Sequence, residues 1–173
     1  MNKQQRWDQY FYSICNVVGS NSKCLSRQIG AVLVKDKVII CTGYNGPPRG
    51  IPHCEGDICP RRKLGFKSGE GLEKCPAAHA ERNAIIQAAR LGIKVKDSVL
   101  YLNTSIPCKD CLIEIINAGI IEVVCTEDKL YDELSEFLIK KITLFGGFNI
   151  RQFSCLVKEE KSKGIYLPLT EIK

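Results

Sequence analysis

Three observations predict an α/β fold in which a mixed five-stranded sheet lies between two helical layers. An amphipathic helix opens the chain, a hairpin of β-branched residues follows it, and three further strands are then separated by helices of about ten residues or more. Trp7, Tyr10, Phe11, Ile14, Cys15, Val17 and Val18 recur every three or four residues, which gives one apolar helix face ending at Gly19. Ile29 to Val34 and Val38 to Thr42 flank Lys35-Asp36-Lys37 as the arms of an antiparallel hairpin. Residues 45–78 are rich in glycine and proline and show no sustained periodicity, so a long irregular loop is predicted there, and such loops are usually functional.

Regular structure is predicted to resume at His79. Ala80, Ala84, Ile85, Ala88, Ala89 and Leu91 fit a helix closed by Gly92, and Ser98 to Asn103 reads as a strand. Lys109 to Ala118 reads as a helix closed by Gly119, Ile120 to Thr126 as a strand, Tyr131 to Phe145 as a helix, and Phe148 to Phe153 as a last strand. The expected organisation is one domain over residues 1–173, with a polar tail from about Lys158 that carries one apolar stretch, Ile165 to Leu169.

With 45% hydrophobic and 25% charged residues, 173 residues can bury a sizeable core without disulfides. Neither a signal-peptide core nor a membrane span can be drawn, so a cytoplasmic location is expected, where ten cysteines serve as thiol ligands and small core residues. Cys15, Cys41, Cys125 and Cys155 fall in apolar runs and suit packing. A net charge of +6 suits an anionic partner. The dense basic spots, Arg61-Arg62-Lys63 and Lys158, Lys161 and Lys163, lack interleaved aromatics, which argues against polymeric nucleic acid.

The chemistry concentrates in His79-Ala80-Glu81 and Pro107-Cys108-Lys109-Asp110-Cys111, each at the mouth of a predicted helix. In an open α/β sheet the amino ends of helices that follow strands face one crevice. There the helix amino end favours the Cys108 and Cys111 thiolates, with Pro107 expected at the start of the helix. Three N/S ligands, His79, Cys108 and Cys111, leave a tetrahedral zinc with one open position, and Glu81 would be the base beside it. A Cys-x-x-Cys alone could be a redox pair and a lone histidine a core residue. The combination of His-x-Glu with Pro-Cys-x-x-Cys is instead the pattern of zinc deaminases acting on nucleobases.

At these residues the sequence resembles the cytidine and deoxycytidylate deaminase superfamily. Gly43-Tyr44-Asn45-Gly46, followed by Pro48-Arg49-Gly50, looks like the glycine-tyrosine-asparagine-glycine stretch of deoxycytidylate (dCMP) deaminases, and His79 to Ile85 looks like their zinc helix. The resemblance covers about residues 10–126. It implies a cytidine deaminase-like fold, zinc on His79, Cys108 and Cys111, proton transfer by Glu81, and contact of Asn45 with the sugar 3′-hydroxyl. The implied reaction is hydrolytic loss of the cytosine 4-amino group of dCMP, giving dUMP. Arg27 is expected to bind substrate, with Arg49, Arg61 and Arg62 as further candidates for the phosphate. Deamination of free cytidine or of tRNA adenosine, and a zinc-stabilised module without catalysis, are the alternatives.

Cys24, Cys54, Cys59 and Cys75 could supply four thiolates to a second, structural zinc that holds the irregular loop, and His53 could replace one of them. The resemblance also implies a homo-oligomer, a hexamer in many relatives. It further implies dCTP and dTTP as effectors, with magnesium accompanying the triphosphate, near Gly43, Tyr44 and Gly46.

Overall fold

The computed structural model describes residues 1–54, 58–67, 70–127 and 133–153. Helix α1 (Lys3–Gly19) leads into strands β1 (Gly30–Lys35) and β2 (Val38–Tyr44). A short helix α2 (Pro60–Lys63) and a 3-10 turn (Leu72–Lys74) interrupt the segment that the sequence presents as irregular. Then follow α3 (Ala80–Arg90), β3 (Val99–Leu102), α4 (Lys109–Asn117), β4 (Glu122–Cys125), α5 (Glu133–Phe145) and β5 (Asn149–Gln152). The predicted tail from Lys158 and Cys155 lie outside the described residues, as do positions 131–132 of the predicted Tyr131 helix start.

The sheet order is β2-β1-β3-β4-β5. β1 runs antiparallel to both β2 and β3, whereas β3, β4 and β5 are parallel, because helices α4 and α5 return the chain to the same edge before each new strand. The hairpin turn places Asp36 and Lys37 at φ 51° and 63°, the left-handed conformation that a two-residue hairpin needs.

Alternate strand residues separate the two layers, as the two-residue period of a strand requires. Ala31, Leu33, Leu100 and Leu102 face α3 and α4 and pack with Ala84, Ala88, Cys111 and Ile115. Val32, Val34, Tyr101 and Val124 face the other way and pack with Phe11 and Cys15 of α1. Cys15, Cys41 and Cys125 are buried, as their apolar neighbours suggest. Among the described residues, no helix is long and apolar enough to cross a membrane.

One polar knot crosses the α1 face. The Asp8 carboxylate, 2% exposed, accepts hydrogen bonds from Arg151 Nη1 (2.6 Å) and Nη2 (2.9 Å), from the Tyr101 hydroxyl (3.0 Å) and from Gln4 Nε2 (2.9 Å). It thereby ties α1 to β3 and to the edge strand β5. Burial alone would raise its pKa, but these donors and the Arg151 charge outweigh it and hold the carboxyl below its ordinary 3.8. A lowered acid contributes stability that is present above its unfolded pKa and is lost as pH falls below it. Asp8→Asn is therefore expected to cost roughly 1–3 kcal/mol at pH 7, since Arg151 loses its buried two-pronged partner and keeps only Glu122 Oε1 at 3.4 Å. In chemical denaturation the gap between the two proteins should shrink as pH is lowered through 3.8; a gap independent of pH would refute the charge-based origin.

Candidate active site

His79 and Cys108 occupy equivalent places in the fold. Each is the extended residue immediately before a helix, His79 (φ −68°, ψ 158°) before α3 and Cys108 (φ −64°, ψ 162°) before α4. Their side chains therefore leave the chain where the first helical N–H groups are unsatisfied. Pro107 lies two residues before the first helical position instead of at it. Cys108 takes the capping position, and the first helical residue is Lys109. Cys111 sits one turn in, buried. His79 Nδ1 is 3.5 Å from Cys108 Sγ and 3.4 Å from Cys111 Sγ, and all three ligand atoms lie within 4.8 Å of one another.

Several contacts hold these two helix mouths together. Arg82, on α3, donates from Nε to Glu114 of α4 (3.0 Å) and places Nη2 2.7 Å from the other carboxylate oxygen, a two-pronged pair between the helices. Asn83 Nδ2 donates to the Tyr44 carbonyl (2.8 Å), which anchors α3 to the end of β2. Gly46 and Ala78 exchange both backbone hydrogen bonds (3.1 and 2.9 Å), so the long excursion between them is closed at its base directly beside His79. Gly43 is buried under α3. A Cβ there would lie 2.3 Å from the Ala84 nitrogen and 2.6 Å from the Ala80 oxygen, so the helix backbone rests on the strand only because position 43 has no side chain.

The donor set fits zinc. With Zn–N near 2.1 Å and Zn–S near 2.3 Å, a tetrahedral arrangement puts nitrogen and sulfur roughly 3.6 Å apart, close to the separations above. The hydrogen bond from Cys111, opposed by burial and joined by His79 and the Cys111 amide, holds the Cys108 thiol down at about 4. Cys111, which keeps the shared proton, is pushed up by that same bond and by burial. Glu81, 5% exposed, has its carboxyl raised by burial, against the opposing pull of its own N–H, His79 and Arg82. A buried acid of this kind beside a metal set is placed to take up and release a proton.

A cavity opens from these residues. Glu81, His79 and Cys108 line it together with Asn45, Arg27, Arg61 and Ile106. Asn45 is largely committed to backbone: Oδ1 accepts from the Ile29 N–H (2.9 Å) and Nδ2 donates to the Arg27 carbonyl (3.0 Å). One Nδ2 hydrogen remains, and the residue fixes the segment that carries Arg27. Of the other predicted phosphate candidates, Arg49 bonds Gln87 and Arg62 bonds the Leu25 carbonyl (2.9 Å), both at the surface and neither lining the cavity. Gly46 is buried and Tyr44 half-buried at the loop base. The roles of Arg82, Glu114 and Asn83 in joining the helices escape sequence reasoning, because the 32-residue separation of Arg82 from Glu114 carries no local signal.

The remaining cysteines gather against the same loop. The Cys54 thiol donates to Cys59, and Cys75 and Cys24 are near enough that all three thiols, after burial, raise the pKa of Cys54. Cys59 precedes α2. Against its burial, the N–H groups of Arg62 and Arg61, the Cys54 thiol and the Arg61 charge bring its thiol down. Among the described residues, His79, Cys108 and Cys111 are the one group with every ligand atom within 4.8 Å of the others. His53 Nδ1, beside Cys54, is buried without a hydrogen-bond partner.

The profile of the cytidine and deoxycytidylate deaminase zinc-binding region matches residues 5–127. The chain belongs to this family. It is 38% identical over 123 residues to the deoxycytidylate deaminase of Mycobacterium phage D29, covering 68% of this chain and 92% of that one. It is 36% identical over 148 residues to the deoxycytidylate deaminase of Saccharomyces cerevisiae, covering 86% of this chain. The chain spans 45% of that yeast relative. Among solved structures, the dCMP deaminase of the cyanophage S-TIM5 in complex with dCMP and dUMP superposes with a TM-score of 0.65 over 88% of this chain and 98% of its own, at 22% identity. That likeness shows the cytidine deaminase-like fold.

Because α3 rests on a bare Gly43, Gly43→Ala should move that helix away from β2, with an overpacking cost of about 1–3 kcal/mol. His79 moves with the mouth of that helix, so zinc competition titrations should show weaker binding at the His79-Cys108-Cys111 group. Unchanged melting temperature and zinc affinity would show that this close approach is not what fixes the site.

Proposed function

We propose that the protein is a zinc-dependent aminohydrolase that converts dCMP to dUMP. The observation that carries the reading is the buried carboxylate of Glu81 in the same cavity as a His/Cys/Cys group of zinc-ligand spacing, with Asn45 and Arg27 on its walls. Relatives named deoxycytidylate deaminase, and the cyanophage enzyme's complex with dCMP and dUMP, support the choice of substrate. When bound at His79, Cys108 and Cys111, zinc supplies the Lewis acidity that makes a water nucleophilic at neutral pH. Glu81 is the base that takes the proton as water adds to C4 of the cytosine ring. It passes that proton to N3 and then carries one to the departing amine, so water and dCMP yield dUMP and ammonia. The free Nδ2 hydrogen of Asn45 is available to the sugar 3′-hydroxyl, and the exposed Arg27 attracts the anionic end into the cavity.

A second, structural zinc on Cys24, Cys54, Cys59 and Cys75 is part of the same reading, supported by the influence of the Cys24, Cys59 and Cys75 thiols on Cys54 and by the small apolar content of the loop they join; the four sulfurs do not all converge to within 4.8 Å of one another. A homo-oligomer is supported by apolar side chains exposed on the helices, among them Tyr10, Val17, Ile86, Leu91 and Ile113. Triphosphate effectors would reach catalysis through the 43–46 segment, whose Gly43 lies directly beneath α3.

Ammonia release from dCMP, CMP, dCTP and deoxycytidine tests the substrate: dCMP is expected to lead, and equal use of deoxycytidine would overturn the choice. Glu81→Gln should retain zinc and fold while losing roughly 10²- to 10⁴-fold in turnover, because an amide cannot accept the proton. Retained activity would remove Glu81 from its role. Elemental analysis should find about two zinc ions per chain, one stripped readily by chelators and one slowly. One zinc per chain would remove the structural site alone.

A further inference from the structure

Arg61 is the one buried cation among the described residues, 6% exposed, where the other charged groups buried to that degree are the acids Asp8 and Glu81. It lies at the first turn of α2, in the loop that departs from β2 and returns at His79, and it lines the cavity of Glu81 and His79. Its guanidinium is fixed from behind. Nε donates to the Glu70 carbonyl (2.6 Å) and Nη2 to the Lys67 carbonyl (2.8 Å), so neutral acceptors hold the plane in place without neutralising it. Among the described residues it forms no ion pair, and Nη1 makes no hydrogen bond. The neighbouring Arg62 straps the same turn to the Leu25 carbonyl, which brings this wall against the Cys24 to Arg27 segment.

A buried, immobilised guanidinium with no carboxylate partner, its one nearby anionic candidate being the Cys59 thiol, favours an anion that arrives to face its open side. The planar fork of arginine matches a phosphate, and here it is held in advance by two carbonyls. The second cation of the cavity, Arg27, is solvent-exposed, so it can attract an anion but is not held in place as Arg61 is. A nucleoside would leave both charges unanswered.

We propose that Arg61 is the residue that binds the 5′-phosphate and sets the preference for a nucleoside monophosphate over the nucleoside, a proposal that rests on the dCMP reading above. The competing role for the same charge is electrostatic support of the Cys59 thiolate, whose pKa it lowers among other causes. The two roles separate in Arg61→Gln, measured for kcat/KM on dCMP and on deoxycytidine, for dUMP binding by calorimetry, and for zinc content.

Loss of a charge-assisted phosphate contact should lower kcat/KM for dCMP and weaken dUMP binding about 10- to 100-fold. Deoxycytidine turnover and zinc content should stay unchanged. Arg61→Lys, which keeps the charge but not the fork, should fall between and serves in place of Arg61→Gln should that variant fail to fold. Equal losses on both substrates, or loss of zinc with the dCMP preference intact, would overturn the assignment in favour of the support role. A wild-type enzyme that uses deoxycytidine as well as dCMP would instead overturn the substrate reading, and the phosphate role with it. A selective wild type with an equally selective Arg61→Gln would remove Arg61 alone.

Discussion

His79 and Cys108, 29 residues apart in sequence, each have to stand at the entrance of a helix, and the two entrances have to coincide within the reach of one metal ion. The side chains are short, so nothing but the placement of α3 and α4 can bring their ligand atoms together. α3 is set by backbone-to-backbone contact on Gly43 and by the Gly46–Ala78 bridge, and α4 by its position after the central strand β3. The Arg82–Glu114 pair then fixes one helix against the other. Glu81 gains its character from the same arrangement. It lies in the first turn of the helix that His79 caps and is buried beside the ligand set, and that burial raises its carboxyl pKa.

The excursion between residues 46 and 78 complements this rigid base. Its described residues contribute few core side chains, yet it brings Cys59 and Cys75 near Cys54 and seats Arg61 in the cavity wall. Carbonyls of the loop orient the Arg61 fork, and the loop's own N–H groups stabilise the Cys59 thiolate. Binding of a cation by the thiols and of an anion by the arginine would thus order one piece of chain from two sides. Among the described residues of this loop there is little apolar packing with which to order it otherwise.

The strands and longer helices were legible in the sequence because each carries its own period: β-branched runs for β1 and β2, and apolar residues at three- and four-residue spacing for α1, α3 and α4. Their ends move by at most a few residues, as at β2, which runs on to Tyr44 beyond the expected Thr42, while α4 begins at Lys109 as expected. α2 is four residues long and too short to show a period. The zinc residues were legible from their spacing and helix-start positions, since the chemistry itself demands that pattern. Gly43 read as part of a glycine-rich turn, and its contact with α3 emerges only in three dimensions. The same holds for the Asp8–Arg151 pair, separated by 143 residues, and for Arg61, whose place in the cavity depends on the path of an irregular loop.

The claim that the two helix mouths form a three-ligand metal centre with an open position is tested most directly by cobalt substitution. Chelation of the readily exchanged zinc and refilling with Co²⁺ should give the strong visible bands of a tetrahedral ion and near-ultraviolet charge transfer from thiolate, because two cysteines and one histidine bind it. Addition of dUMP should shift those bands, since the product reaches the open position. Weak octahedral bands without thiolate charge transfer, or a tetrahedral spectrum indifferent to dUMP, would contradict it.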